Sequence, residues 1–191
     1  MKQTILVAVT VLALLSFKTI DPATWTVDKN HSKLGFSVSH LMVSDIEGSF
    51  KTFDAKISTT KDDFTDATVV MTADVSSINT DNTQRDNHLK SADFFDAAKY
   101  PTITFTSTSF KKVSDKNYKV TGILVMHGVS KTVELNAVAN IGTNPMSHKT
   151  ISGFKITGKI NRSDFNLGAS IPSAMVGNEV DVTANAEFAK N

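Results

Sequence analysis

The sequence predicts an all-β protein: an extended, eight-stranded antiparallel barrel interrupted by one short helical segment around residues 83–98. Apolar and polar side chains alternate through most of the chain, as they do in strands with one buried face and one solvent-facing face. The alternating stretches run to about ten residues, longer than the usual five or six, which favours a tall barrel over a compact sandwich. Closure of the barrel also removes exposed strand edges.

The first 23 residues are typical of a cleavable signal peptide. Lys2 precedes an apolar run from Ile5 to Leu15, which is too short for a comfortable membrane span. No A-x-A site precedes Thr24, so an uncleaved anchor is the alternative. Cleavage would leave one domain, residues 24–191, in the periplasm or outside the cell. The chain has no cysteine, so its stability must come from packing and hydrogen bonds instead of disulfides.

The strands of this domain follow one another with short turns between them. The clearest alternation runs over residues 180–188, and a break in phase between Phe50 and Phe53 indicates a bulge. Asn and Gly residues, which tolerate positive φ, predict turns at 116–117, 126–128 and 142–148. The predicted strands are residues 34–40, 50–57, 67–75, 103–105, 118–126, 129–141, 154–160 and 180–188.

The inward face of the predicted barrel combines small residues with phenylalanines. The chain has 12 Phe but two Tyr and one Trp, so its aromatic surface is almost free of hydroxyl groups. A filled barrel would carry Leu, Ile or Val at the small positions, so the pattern indicates space in the lumen. Close interdigitation of Phe and Ala fits the pattern equally well. The small inward residues are Ala67, Ala73, Gly122, Ala137, Ala139, Ala184 and Ala186.

The helical segment interrupts the strands in the middle of the chain. Thr80 or Asp81 is expected to cap a helix over residues 83–90, and a second short turn follows before Pro101. The i, i+3 spacing places Arg85 and His88 on one helical face. Cationic or hydrogen-bonding groups therefore lie close in sequence to Phe94 and Phe95, which together predict a lid with a polar and an apolar part.

The motifs around this segment resemble those of the YceI-like, polyisoprenoid-binding family. The central signature is Arg85-Asp86-x-His88-Leu89, followed by Asp93-Phe94-Phe95 and Tyr100-Pro101-x-Ile103-x-Phe105. Further matches cover Trp25 to Leu41, Asn161 to Phe165 and Gly177 to Val180, so the resemblance extends over the whole exported domain. The sequence departs from the family at Asn166, where glycine is common.

The resemblance implies a lipocalin-like barrel that holds an isoprenoid chain in a long apolar tunnel, and it implies a homodimer. For the head group, a diphosphate or a quinone, we expect contacts from Arg85 and His88, with His40, Asn161 and Arg162 as further candidates. Structural ion pairs of Arg85 with Asp86 and of Arg162 with Asp164 are the alternative. The expected contacts of the apolar chain are Phe36, Val38, Phe94, Phe95, Phe105, Leu124, Phe154 and Phe165.

Other classes of function have less support in the sequence. Residues 24–191 carry equal numbers of acidic and basic side chains, so charge gives no reason to expect nucleic acid. An exported hydrolase or metal-dependent enzyme near His40, His88 and Asp164 is the main alternative, but no G-x-S-x-G, H-E-x-x-H or Gly-rich phosphate motif occurs. His31 and His40 would also lie on opposite faces of a continuous strand.

An exported adhesion or assembly module is a third class, and it predicts a packed core with an exposed apolar patch. We therefore expect a binding protein that is not an enzyme, with no cofactor or metal ion. Its expected partners are an isoprenoid lipid and, transiently, a membrane.

Overall fold

A computed structural model describes residues 21–191, so nearly all of the predicted signal peptide lies outside the described residues. Ten β-strands, one α-helix and two short 3-10 turns make up this part of the chain. The elements are β1 (Ala23–His40), β2 (Ser44–Phe50), β3 (Phe53–Thr59), β4 (Thr68–Asp74), a 3-10 turn (Val75–Ser77), β5 (Ile78–Asn79), α1 (Thr83–Lys90), β6 (Thr102–Lys112), β7 (Asn117–Met126), β8 (Val129–Thr143), β9 (Thr150–Asn161), a second 3-10 turn (Arg162–Phe165) and β10 (Val176–Lys190).

The strands close into a barrel. The antiparallel order is β1-β3-β4-β6-β7-β8-β9-β10, and β10 pairs back onto β1 along almost its full length, from Trp25 opposite Lys190 to His40 opposite Val176. The predicted eight-stranded antiparallel barrel is thereby confirmed. Within residues 21–191, no helix is long and apolar enough to cross a membrane.

Ten strands fill eight positions in the barrel wall, because two of these positions are each occupied by two short strands in succession. Strands β2 and β3 both run antiparallel to β1, with Phe50 opposite Leu34 and Ile57 opposite Trp25. Strands β4 and β5 are separated by the turn Val75–Ser77, which Asp74 caps by accepting a hydrogen bond from the Ser76 amide. The bulge predicted between Phe50 and Phe53 is thus a complete break between two strands, β2 and β3.

Strand β1 is irregular near its middle. Asp28 pairs with Glu187, but the next pair is Lys33 with Asn185, so β1 has three more residues in this interval than β10. The prediction that His31 and His40 lie on opposite faces assumed a continuous strand. This assumption is wrong, because the extra residues interrupt the alternation of side chains between the two faces.

The helix has the predicted bounds but a different cap. Asn82, in an extended conformation, accepts a hydrogen bond of 3.0 Å from the Arg85 amide. Asp81 precedes it with φ 58°. The expected cap at Thr80 or Asp81 is wrong by one or two residues, since the turn at Asp81 directs the Asn82 side chain onto the first helical turn.

The two ends of the barrel are built differently. At the closed end, the loop between β3 and β4 inserts Phe64, which is fully buried, against Trp25 and Phe154 at centroid distances of 5.3 and 5.1 Å. At the opposite, lidded end, residues 80–101 (the lid segment) and the loop of residues 162–175 cover the barrel. The aromatic residues of the closed end are Trp25, Phe64, Phe110, Tyr118, Phe154 and Phe188.

Candidate ligand-binding cavity

A cavity of about 250 Å³ occupies the barrel between these two ends. Its lining includes Ile57 and Phe188 next to the closed end and Val38 and Val176 at the lidded end. The β10 residues 176–188 span ~40 Å of strand at about 3.3 Å per residue, or ~30 Å along the axis of a barrel whose strands tilt by about 40°. So small a volume over such a length is thread-shaped.

The walls of the cavity are almost entirely apolar. Thr183 and Arg162 are the lining residues with polar side chains, and Thr183 alternates with inward-facing Val182 and Ala184, so its side chain points away from the barrel axis. The predicted residues that line the cavity are Phe36, Val38, Phe94, Phe95, Phe105, Leu124, Phe154 and Arg162.

The side chains that line the cavity are not equally buried. On β8, β9 and β10, the inward-facing Leu135, Ile156 and Val182 line the cavity and are half-buried. On the adjoining strands β6 and β7, Ile103 and Leu124 also line it but are buried. The partial exposure of inward-facing side chains shows that the barrel is not filled to native density next to Leu135, Ile156 and Val182.

The small inward residues divide into two groups. Ala184 and Ala186 line the cavity, whereas Ala137, which is 1% exposed, and Ala73, which is fully buried, are packed against neighbouring side chains. Gly122 is covered by the Phe105 ring, whose nearest atom lies 2.4 Å from where a Cβ would be. Both sequence interpretations therefore apply, space at Ala184 and Ala186 and interdigitation elsewhere.

Two further glycines, Gly48 on β2 and Gly158 on β9, make room for large side chains of neighbouring strands. An added Cβ would lie 2.3 Å from the Phe36 ring at Gly48 and 2.3 Å from Leu135 Cδ2 at Gly158. Phe36 and Leu135 thus lie flat over neighbouring strands instead of projecting across the lumen. Larger residues at Gly48 or Gly158 would push these side chains into the cavity.

The lid segment contributes an apolar inner surface. Leu89, Phe94 and Phe95 line the cavity. The Phe95 ring meets Phe50 edge-on at 5.9 Å. Phe94 packs over Gly168, whose φ of 58° and lack of a Cβ admit the ring. Leu89 is not among the predicted contacts of the apolar chain, although its position next to His88 in the helix is a sequence signal for it.

Arg85 folds back onto the lid segment itself. Its Nε donates to Thr80 Oγ1 at 2.8 Å and its Nη2 donates to the Thr80 carbonyl at 2.6 Å. Buried Asp86 accepts from the Thr80 amide at 2.9 Å and from the Thr80 hydroxyl at 2.6 Å. Arg85 and Asp86 are therefore linked through Thr80, and the guanidinium is half-buried outside the cavity lining.

His88 lies on the outer surface of the lid. Its side chain is 52% exposed, its Nε2 is 3.4 Å from the Asp93 carboxylate, and its ring meets Phe94 edge-on at 5.1 Å. Arg85 and His88 share the helix, but the structure places neither of them in the cavity lining.

Arg162 organises the loop of residues 162–175. It is 6% exposed, and its five N–H groups donate to five backbone carbonyls. The sequence alternative of an ion pair with Asp164 is wrong, because carbonyl oxygens satisfy every donor of the guanidinium. No N–H of Arg162 is left for a head group. The acceptors are Leu167, Gly168, Ile171, Val176 and Gly177, at 2.7 to 3.1 Å.

The remaining predicted residues lie near the lidded end but outside the cavity lining. His40 is half-buried at the end of β1, and Asn161 is exposed. Phe165 is 1% exposed, and its carbonyl oxygen lies 3.0 Å from His127 Nδ1. Asn166 ends the 3-10 turn with φ 58°, a conformation that asparagine tolerates, so the departure from the family's glycine preserves the turn.

A surface group of possible metal ligands lies elsewhere, at the irregularity in β1. Ligand atoms of Asp28, His31 and Glu187 lie within 4.8 Å of one another. A 2.8 Å hydrogen bond between Asp28 and His31 lowers the pKa of the carboxyl and raises the pKa of the imidazole. Among residues 21–191, this group is the one with metal-type spacing, and it contains none of His40, His88 and Asp164.

Comparison with known proteins identifies the domain. The YceI-like domain family matches residues 25–188. A UPF0312 protein of Staphylococcus aureus (strain USA300) is 40% identical over 172 residues, which cover 86% of this chain and 96% of that protein.

Solved structures share the fold. Burkholderia cenocepacia BcnA superimposes with a TM-score of 0.75 at 27% identity, covering 84% of this chain and 98% of that one. The Campylobacter jejuni YCEI protein does so with a TM-score of 0.73 at 33% identity, covering 80% and 90%. A polyisoprenoid binding domain from Saccharophagus degradans, implicated in plant cell wall breakdown, has a TM-score of 0.63 at 18% identity and covers 87% and 98%.

The family match spans the whole barrel from Trp25 to Phe188, and with it the cavity, the lid segment and the Arg162 loop. The chain therefore belongs to the YceI-like domain family.

Proposed function

We propose that the protein binds the long apolar chain of an isoprenoid lipid, a polyprenyl diphosphate or an isoprenoid quinone, inside the barrel. Binding would serve storage, transport or protection of the lipid in the cell envelope. The observation that carries this proposal is the thread-shaped apolar cavity, whose one charged lining residue, Arg162, has no free donor.

The cavity favours a slim apolar ligand. An apolar cavity of about 150 Å³ is enough to take up benzene, and this one is larger and extended. Burial of hydrocarbon contributes about 0.8 kcal/mol per methylene before ordering costs, so the chain supplies affinity without polar contacts. The Saccharophagus degradans domain is named for polyisoprenoid binding, and its similar fold agrees with this ligand class.

The head group would remain at the lidded end. Arg85 and His88 lie there on the lid segment, and His40 lies at the end of β1; all three are at least partly exposed. Arg85 uses its Nε and Nη2 within the lid, so its Nη1 is the group that would reach an anionic head. Neutral His88 or His40 would serve a quinone carbonyl instead.

We propose that this binding takes place outside the cytoplasm, in the periplasm or beyond, because the first 23 residues are typical of a signal peptide. The protein recovered from the cell envelope should begin between residues 18 and 24. N-terminal sequencing that finds Met1 would contradict export with cleavage.

A pair of neighbouring substitutions on β10 tests whether the cavity binds the lipid chain. Ala184 lines the cavity, whereas Asn185 is exposed on the outside of the same strand. Ala184→Trp should abolish binding of geranylgeraniol, followed by native mass spectrometry, and should cost little stability because space is present. Asn185→Trp is the control and should bind like the wild type. Equal binding by both variants would contradict the proposal.

A further inference from the structure

The tip of the β1–β2 hairpin carries three consecutive exposed apolar side chains. Leu41 is 49%, Met42 77% and Val43 83% exposed. Met175, which is 50% exposed, lies beside them, because the Leu41 amide donates to the Met175 carbonyl at 3.0 Å. These four residues form what we call the apolar tip. The chain itself does not cover them, so their side chains gain nothing from burial in the barrel.

The backbone conformation of the tip is unfavourable for the large apolar residues that occupy it. Leu41 and Met42 adopt φ values of 52° and 58°, in the left-handed region. Glycine, asparagine and aspartate occupy this region at least cost, and hairpin turns normally use them. A turn selected only for its geometry would therefore carry Asn or Gly here. Strain of this kind, with no compensating burial within the chain, indicates a role in contact with something else.

The apolar tip is continuous with the cavity wall. His40, at the base of the tip, pairs with Val176, and both Val176 and Val38 line the cavity. The tip therefore projects from the same end of the barrel as the lid segment. Through Met175, the tip is next in the chain to Val176, which lines the cavity.

We propose that the apolar tip docks the lidded end of the barrel onto a lipid bilayer, with Leu41, Met42 and Val43 inserted at the interface. This inference rests on the proposed function: an isoprenoid chain could then pass between bilayer and cavity without crossing water. The tip contains no Lys or Arg, so docking depends on apolar insertion and not on attraction to anionic lipids.

A second copy of the same chain fits the tip less well. A stable protein interface buries about 800 Å² on each partner. Four side chains on two loop ends, two of them about half exposed, present much less surface than that. A bilayer needs no complementary surface and accepts a few inserted side chains.

Vesicle binding tests the proposal directly. Purified protein, residues 24–191, is floated with phosphatidylcholine vesicles, and Met42→Asp and Val43→Asp are compared with Met146→Asp. Met146 is 89% exposed in the turn between β8 and β9 at the closed end, so it matches Met42 in type and exposure. Both tip variants should bind vesicles at least tenfold more weakly than the wild type, and Met146→Asp should bind equally well. All three positions are exposed, so the urea midpoint should not change.

Transfer kinetics separate this proposal from the proposed function. Geranylgeraniol preloaded in the vesicles should reach the tip variants at least tenfold more slowly, while their affinity for added geranylgeraniol stays at the wild-type value. Vesicle binding that survives both tip substitutions overturns the proposal, as does sedimentation showing a dimer that Met42→Asp dissociates. A wild-type protein that floats with vesicles but binds no geranylgeraniol would overturn the proposed function and leave the docking surface supported.

Discussion

The closed end and the lidded end of the barrel differ in how much of their stability rests on aromatic packing and how much on polar contacts. At the closed end, six aromatic side chains, among them fully buried Phe64, pack against one another with centroid distances of 5.0 to 6.2 Å. At the lidded end, Phe94 and Phe95 are also buried, but the one buried residue of α1 is Asp86, and Arg162 holds its loop through five hydrogen bonds to carbonyls.

The difference indicates which end opens. Separating packed aromatic rings loses their contacts without any replacement, whereas polar groups that leave their partners during local opening can form hydrogen bonds with water. We therefore expect the lid segment to open at lower cost than the closed end, so that a lipid of the proposed class would enter and leave past Leu89, Phe94 and Phe95. The following predictions test this comparison, from the largest effect to the smallest.

Removal of the Phe64 ring should have the largest effect on stability. Phe64→Ala should lower the free energy of unfolding by about 4 kcal/mol, since it leaves a cavity in a packed aromatic core. Urea unfolding followed by the fluorescence of Trp25, the chain's single tryptophan, measures this change. The rate of geranylgeraniol release should stay near the wild-type value. Faster release with little loss of stability would mean that the ligand passes through the closed end.

Arg162→Lys should lower the free energy of unfolding by about 3 kcal/mol. An ammonium group has three donors, so at least two of the five carbonyls lose their partner, and each hydrogen bond to a charged group contributes about 1.5–3 kcal/mol. Hydrogen exchange should speed up in residues 162–176 and stay unchanged around Phe64. Uniform loss of protection over both ends would show that the two ends are not independent.

Leu89→Ala should speed ligand release about tenfold, because it removes apolar cover from the lid without touching the barrel. Gln84→Ala, at an exposed position of the same helix, is the control. Stopped-flow displacement of geranylgeraniol gives both rates. If the two variants release the ligand at the same rate, the lid does not control its exit.

The smallest effect concerns pH and the Phe64 loop. Asp66 accepts hydrogen bonds from the hydroxyls of Thr59 and Thr60 and from the Thr60 and Lys61 amides, and these hold its pKa far below the usual value of 3.8. A carboxyl whose pKa is lower in the folded chain than in the unfolded chain stabilises the fold at any pH above its unfolded-state pKa. This contribution is lost as the pH falls from the unfolded-state pKa through the folded-state pKa.

Trp25 fluorescence should therefore report a loosening of the wild-type closed end below about pH 4. Asp66→Asn should lack this pH dependence, and Asp62→Asn, at a fully exposed carboxylate in the same loop, should retain it. An unchanged acid transition in Asp66→Asn would mean that other carboxylates govern the closed end.

The sequence by itself determined the barrel, the helix and the family. Alternation such as that of residues 180–188 is a local property with a period of two, and the turn signals on either side of residues 83–90 are local as well. Ordered motifs such as Arg85-Asp86-x-His88-Leu89 are likewise read directly from the chain. The apolar residues expected around the ligand chain could be named for the same reason, and all of them except Phe165 line the cavity.

Only the tertiary structure decided where the space lies and which polar groups are occupied. Ala184 and Ala137 have the same local pattern, yet Ala184 lines the cavity and pairs with half-buried Leu34, whereas Ala137 is packed and pairs with buried Tyr118. The sequence alone leaves Arg162 free to bind a head group, whereas in the fold five backbone carbonyls accept all of its N–H groups. Burial and hydrogen-bond partners depend on residues distant in sequence, and no local pattern encodes those contacts.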